Sequence, residues 1–194
     1  MLKGHERQGY CQITETAGAD GTVSETLGTG VITSHVVTFT GTRGTSSTDV
    51  YAGDTLEDSE DETTGDVKFE LSQLPLKDEA AFGGHNYDTT KDLMTEADSD
   101  SAPFFRYGAI GLGRRGATKA EMKNFYRLLM YYKVKFGPVD DTLQTKEEKP
   151  TYKSHSVSGR CYPNAGGKIR EKQDFDTFEA AIAAMKTFLN ITAV

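Results

Sequence analysis

Residues 111–116 read Gly-Leu-Gly-Arg-Arg-Gly, which matches the G-x-G-x-x-G spacing of loops that bind the phosphates of a dinucleotide. Such a site also needs a helix that opens at the third glycine, within a strand-helix-strand unit. Here an alternating, strand-like segment follows soon afterwards. A dinucleotide site also has an acid about 20 residues further on that binds the ribose, and the acids nearest to that position lie beyond Pro138. We therefore interpret residues 111–116 as a glycine-rich hairpin turn that exposes Arg114 and Arg115.

The other residue types that do chemistry are scattered along the chain. Cys11 and Cys161 lie 150 positions apart, which is typical of reduced cytoplasmic thiols and leaves a disulfide as the less favoured alternative. No G-x-S-x-G nucleophile motif is present. The four histidines form no local metal-ligand pair: they are His5, His35, His85 and His155. The sequence therefore predicts no catalytic, cofactor or metal site, and we expect the protein not to be an enzyme.

An acidic run occupies the segment between Gly53 and Gly65. Like charges at this density repel one another, so the run predicts a loop at about residues 53–65. It lacks the ligand alternation and the central glycine of an EF-hand, which argues against calcium binding. Two interpretations remain, a solvated loop and a loop that docks on a basic partner. The acids are Asp54, Glu57, Asp58, Glu60, Asp61 and Glu62.

The net charge is −7 and the pI is near 5.1, so the surface as a whole repels phosphate and ordinary nucleic-acid binding is disfavoured. Residues 1–100 hold 20 acids and 6 Lys or Arg, whereas residues 101–194 hold 9 and 16. Halves of opposite charge favour association between copies, although one fold that interleaves both halves would cancel the asymmetry. No apolar run approaches the ~18 residues of a transmembrane helix, and the charged start does not resemble a secretory signal. We expect a cytoplasmic site of synthesis and assembly.

The first part of the chain predicts strands within a single domain, residues 1–194. Apolar-rich residues 10–14 and 31–39, separated by the turn Ala19-Asp20-Gly21, predict a hairpin. Residues 66–71 then alternate charged and apolar side chains, which indicates a strand with one buried face and one wet face.

The second part predicts long strands. After an acidic linker at residues 88–100, residues 104–112 and 125–136 read as strands, and every even position of the second is apolar. Twelve extended residues span roughly 40 Å, beyond the usual strand length. A largely polar strand follows at residues 152–162.

Two helices are predicted beside these strands. Pro75 and the pair Gly83-Gly84 bracket a short helix near residues 76–82. Apolar residues at helical spacing predict a C-terminal amphipathic helix behind Asp174, its expected N-cap: Phe175, Phe178, Ile182, Met185 and Leu189. The predicted fold class is mainly β, of the α+β type.

Seven stretches keep a recognisable order and spacing: Val50-Tyr51-Ala52-Gly53-Asp54, Gly65-Asp66-Val67-Lys68-Phe69-Glu70-Leu71, Leu74-Pro75-Leu76, Gly83-Gly84-His85, Phe104-Phe105-Arg106-Tyr107-Gly108, Tyr132-Lys133-Val134-Lys135-Phe136 and Thr145-Lys146-Glu147-Glu148-Lys149-Pro150-Thr151-Tyr152. In that order they resemble the major tail proteins, which form the tail tube of long, flexible, non-contractile bacteriophage tails. The resemblance covers about residues 50–163. The N-terminal hairpin is similar but less specific, and the charged opening at residues 3–8 departs from the family.

The resemblance implies a β-sandwich with a flanking C-terminal helix, whose strands contribute to a barrel shared between copies. It implies hexameric rings that stack into a tube around a tape-measure protein, with tail tip and tail terminator proteins as further partners. DNA later passes through the lumen without sequence-specific binding. The expected location is the virion tail, after assembly in the host cytoplasm and without membrane contact. The alternative is a monomeric β-sandwich adhesin or carbohydrate-binding module, although the chain has no Trp.

Within this interpretation, three sets of charged residues have candidate roles. The acids of the run at residues 54–62 are the candidate ring-to-ring contact. Their candidate basic docking groups are Arg114, Arg115 and Lys119. The candidates for lumen or sheet-face charges, with the lysines as cross-strand partners of the acids, are Asp66, Lys68, Glu70, Lys133 and Lys135.

Overall fold

The computed structural model describes residues 2–33, 36–42, 44–52, 55–118, 121–139 and 154–192. Within these residues the chain is mainly β, with a short helix and a C-terminal helix, as predicted. The elements are β1 (Leu2–Ala17), β2 (Val23–Leu27), β3 (Val31–Thr33), β4 (Val36–Gly41), β5 (Gly44–Ala52), β6 (Thr55–Leu71), α1 (Leu76–Gly83), β7 (Asn86–Asp88), β8 (Leu93–Thr95), β9 (Phe104–Arg115), β10 (Lys123–Phe136), β11 (His155–Cys161), β12 (Arg170–Phe175) and α2 (Phe178–Phe188).

Most of the strands form one antiparallel sheet that folds into two packed layers. The order is β2-β1-β9-β10-β11-β6-β4, with β3 beside β1, β12 beside β10 and β5 beside β6. The sheet changes layer at β10, because residues 126–131 pair with β12 whereas residues 134–136 pair with β11. We call β1, β2, β3, β9, β10 and β12 the first layer, and β4, β6 and β11 the second layer.

Aromatic side chains fill the space between the two layers. Tyr107 of β9 stacks on Phe69 of β6, with ring centroids 5.3 Å apart, and on Phe39 of β4, at 5.7 Å. Phe82 of α1 closes one end of this core and lies 4.6 Å from Phe136 of β10. Burying each such side chain contributes about 1.5–3 kcal/mol, so the alternating apolar face predicted at residues 66–71 holds the layers together.

Helix α2 covers the outer face of the first layer. Met185 and Leu189 at its end pack with Ile110 of β9 and Leu128 of β10 in a second apolar cluster. Thr177 caps the helix, since its hydroxyl accepts a hydrogen bond from the Ala180 backbone N–H at 3.2 Å. The predicted N-cap, Asp174, is wrong: it lies in β12 and its carboxylate binds Arg127 instead.

The apolar stretch at residues 31–39 is not one strand of the predicted hairpin. β3 pairs with β1 and β4 pairs with β6, so the chain passes from the first layer to the second within this stretch. The strand that follows the turn and pairs with β1 to form the hairpin is β2 instead. The reason is the length of β1. Its 16 residues pair with β2 and β3 along one edge and with β9 along the other, and the pairing with β9 includes the charged opening.

The predicted acidic linker at residues 88–100 also contains regular structure. β7 and β8 form a small hairpin in which Asp88 lies opposite Leu93. The Asp88 carboxylate accepts a hydrogen bond from the Thr90 backbone N–H at 2.9 Å, which stabilises the turn between the two strands.

The acidic run is not a loop, which corrects the prediction made for residues 53–65. β5 and residues 55–64 of β6 form a long hairpin, which we call the arm. The acids at positions 60–62 lie in register with Ser and Thr residues of β5. Because no like charge lies directly across from these acids, a strand pair tolerates them. Asp54 lies outside the described residues.

Candidate assembly surface

Among the described strands, the arm pairs only with itself. β5 bonds only to β6, and β6 meets β11 and β4 only from Gly65 onwards. The 9 residues of β5 extend about 30 Å at ~3.3 Å each. Residues 44–64 hold seven acids and no Lys or Arg. An isolated two-stranded hairpin is marginal in water, so among the described strands the arm is the pair that most needs a further partner.

Strand directions place the arm and the β9–β10 turn at the same end of the molecule. β10 is antiparallel to β11 and β11 is antiparallel to β6, so β6 and β10 run in the same direction. The arm precedes the part of β6 that pairs with β11, just as the turn precedes β10. Helix α1 follows β6 and lies at the opposite end. We call the two ends the arm end and the helix end.

Two of the three predicted docking groups lie at the arm end. The Arg114 Nε–H donates to Asn124 Oδ1 at 3.1 Å. The side chain of Arg115 is 68% exposed, and its guanidinium lies 4.0 Å from the Asp174 carboxylate. Lys119 lies outside the described residues. The structure therefore brings Arg114 and Arg115 to the end from which the arm leaves.

A larger basic group beside Arg115 was missed by the sequence analysis. β12 pairs with β10 so that Arg170 and Lys172 share a face with Arg127. The Asp174 carboxylate accepts two hydrogen bonds from Arg127, at 2.6 and 2.9 Å, and these bonds hold the pKa of Asp174 below its ordinary value. The positive charges of Arg170 and Arg127 lower the pKa of Lys172, which indicates an excess of positive charge. We call Arg115, Arg127, Arg170 and Lys172 the basic patch.

The local signal for this patch is the alternation of Arg170, Lys172 and Asp174, which places the three on one face of a strand. The sequence predicts no element for residues 170–173 and places only Asp174, as an N-cap. The pairing of this segment with β10 joins residues 47 positions apart, for example Arg127 and Asp174. No pattern within the segment reveals that pairing.

Three of the predicted sheet-face charges lie together on the outer face of the second layer. Asp66, Lys68 and Glu70 point away from the core, because the residues between them are buried. The register places Lys68 between Thr40 of β4 and Ser158 of β11. This face is therefore polar and carries charges of both signs.

The two lysines of β10 have different surroundings. Lys135 lies across from Arg160, which lies across from Asp66, so Lys135 joins the row of the predicted sheet-face charges. Lys133 instead forms an ion pair with Glu15 of β1, with its Nζ 2.6 Å from Oε1. Both Nζ atoms nonetheless lie over the ring of Phe104, 4.2 and 5.8 Å from its centroid, so the two lysines remain neighbours.

The buried thiols are unreactive by environment. Cys11 and Cys161 are free and belong to different apolar clusters. Burial raises the pKa of Cys11 to about 11 and that of Cys161 to about 12. A thiol that stays protonated at neutral pH is a poor nucleophile. In the described ranges, no group of three or more His, Cys, Asp or Glu side chains is arranged to hold a metal ion.

No family model matches the chain, and a search of curated proteins finds no match. Neither helix in the described residues is long and apolar enough to cross a bilayer.

Proposed function

We propose that this protein is the structural subunit of a phage-type tail tube, which assembles into stacked hexameric rings and conducts DNA into the host. The residue layout that resembles the major tail proteins supports this function, as does the mainly β fold. The observation that carries the proposal is the arm, an acidic hairpin that pairs only with itself among the described strands. In a stacked assembly a neighbouring copy supplies its missing partner, so the acids at positions 57–62 form the ring-to-ring contact.

Open sheet margins support a barrel shared between copies. Of the described strands, β2, β4 and β12 each have a strand on one side only. Such edges invite pairing with neighbouring copies, within a ring or between stacked rings. Four strands from each of six copies would give a backbone diameter of about 48 Å at ~4.8 Å spacing and ~40° tilt. After about 5 Å of side chain on each wall, roughly 38 Å remains, through which a duplex of about 20 Å passes.

The outer face of the second layer is the lumen lining we propose, with Asp66, Lys68 and Glu70 at its centre. Helix α2 covers the corresponding face of the first layer. Mixed charges hold a phosphate backbone weakly, and the net charge of −7 per copy adds repulsion. DNA would therefore pass without sequence-specific binding, once the tape-measure protein has left. Tail tip and tail terminator proteins complete the proposed set of partners in the virion.

Negative-stain electron microscopy of the concentrated protein tests this function. We expect hollow tubes from the wild type. Changing Glu60, Asp61 and Glu62 to lysine should leave a folded protein that forms no tubes, because the charge on the arm side of the ring-to-ring contact is reversed. The matched control changes three exposed acids of the body, Glu96→Lys, Asp98→Lys and Glu179→Lys, and should form tubes.

The outcomes separate the parts of the proposal. Solitary particles from the wild type at every concentration would overturn the tube function and favour the monomeric adhesin or carbohydrate-binding module. Unaltered tubes from the triple-lysine arm variant would remove the arm from the ring-to-ring contact while leaving the tube in place.

A further inference from the structure

A groove of about 290 Å³ opens between β4 and the first layer. Its floor consists of small and apolar residues of β9 and β10, namely Ala109, Gly111 and Leu129. Val37 and Phe39 of β4 form one wall. The aromatic core between the layers therefore ends here, and the inner face of the first layer becomes accessible.

Two strand margins border this groove. β4 pairs with β6 on one side and has no strand on the other, within the part of the chain that the structure describes. On β1, residues 2–7 pair only with β9, since β3 begins its pairing at Gln8. Gly4 also lines the groove, and no atom lies within 4 Å of the position that a Cβ would take there. Unpaired backbone groups beside an apolar floor are the features that accept an added extended segment.

Positive charge lies at the same place. Arg127 lines the groove and belongs to the basic patch, with Arg170 and Lys172 on the neighbouring strand. Asp174 is the acid that Arg127 binds, and Arg115 lies within 4.0 Å of the same carboxylate, so two of the four cations share one acid. The open strand edges favour an extended segment in this groove, and the excess of positive charge favours a segment with acidic side chains.

We propose that the groove binds the acidic arm of a second copy of this chain. The arm is already an extended hairpin, and its segment has seven acids and no Lys or Arg. The arm of the same copy continues both β4 and β6 in one register, so it extends beyond the end of β4 and leads away from its own groove. The inference rests on the proposed function, because it names the surface that receives the arm when copies stack.

Disulfide trapping between two differently tagged preparations tests this contact. One preparation carries Thr38→Cys at the exposed rim of the groove. The other carries Glu60→Cys or Asp61→Cys, two adjacent positions of which one faces the groove if the arm pairs as a strand. The native thiols are buried and react slowly. Under mild oxidation at tube-forming concentration, we expect a mixed dimer with one of the two arm variants, at least tenfold above that from the exposed control Thr16→Cys.

The outcomes distinguish this inference from the tube function when the same samples are imaged. Tubes without enrichment over Thr16→Cys would overturn the groove contact alone. Mixed dimers without tubes would support the contact and count against the tube. Absence of both would overturn both.

A substitution in the groove gives an independent test. Val37→Asp places a negative charge on the wall of the groove, at a side chain that is 54% exposed, so the monomer should keep its melting temperature while an acidic arm is repelled. We expect tube formation to need at least tenfold more protein. The control is Leu93→Asp, at a side chain of the β7–β8 hairpin that is 49% exposed. Equal assembly of the two variants would contradict the proposal.

Discussion

The body and the arm of this protein are held together in different ways. In the body, two layers enclose a cluster in which Phe69, Tyr107 and Phe136 are buried and in contact. In the arm, two strands pair with each other and with no third described strand. The body is therefore specified by burial within one chain. The arm is specified by backbone pairing and charge, and by the partner that we propose it binds.

The largest effect on the body should come from emptying its core. Phe69→Ala removes a fully buried ring that contacts both Tyr107 and Phe82, so we expect a loss of about 3–5 kcal/mol in the free energy of unfolding. Urea denaturation measures it, with the exposed Val23→Ala as control. A loss below about 1 kcal/mol would mean that the layers are not held by this cluster.

A smaller effect is expected from the buried polar pair. The Tyr107 hydroxyl donates to Gln8, the buried amide of β1. Gln8→Ala leaves that hydroxyl without its acceptor, which should cost about 1–3 kcal/mol. Gln12→Ala, at an exposed position of the same strand, should be nearly neutral in the same urea titration. Equal losses in the two variants would show that the pair contributes nothing specific.

A pH-dependent effect is expected where Arg127 binds Asp174. The pKa of this carboxyl is lowered from 3.8 in the folded protein, so the pair stabilises the fold above that value and stops doing so as the pH falls through the lowered pKa. Because the pair is partly exposed, the contribution should be at most about 1 kcal/mol. Asp174→Asn should therefore lose less stability than the wild type between about pH 5 and pH 2. Parallel losses in urea titrations at the two pH values would contradict this assignment.

The smallest effect on the body should come from removing the arm. Thr45 lies opposite Thr63, so replacing residues 46–62 by Asn-Gly closes a short hairpin at that pair. We expect the free energy of unfolding to change by less than about 0.5 kcal/mol, because no described strand of the body pairs with the arm. A loss comparable to that of Phe69→Ala would mean that the two regions form one cooperative unit.

Predictions from local periodicity agree with the structure where one strand or helix packs on one core. The short helix after Pro75 follows from the proline and the glycines that bound it. The alternation at residues 66–71 and the long strand ending at Phe136 follow from the spacing of apolar residues. These patterns depend only on which face is buried, and that information is local. The mainly β fold was predictable for the same reason.

The errors share a different cause, since each depends on residues that a neighbouring strand places opposite. The acids at positions 60–62 fit in a strand because neutral residues of β5 lie opposite them. Arg127 and Lys172 belong to one patch only through the pairing of β10 with β12. In the sequence, Asp174 resembles an N-cap because it precedes the apolar helix pattern. In the structure, its carboxylate instead accepts hydrogen bonds from Arg127 of β10. The order of residue types within one segment shows neither which residues lie opposite it in a neighbouring strand nor which distant side chain pairs with its charges.

Sedimentation velocity at rising protein concentration, on the full-length protein and on the variant with residues 46–62 replaced, tests the role of the arm most directly. We predict that the full-length protein grows into large polymers, whereas the shortened protein stops at single rings or smaller species while remaining folded. Polymers of equal size from both proteins, or monomers alone from the full-length chain, would contradict the account.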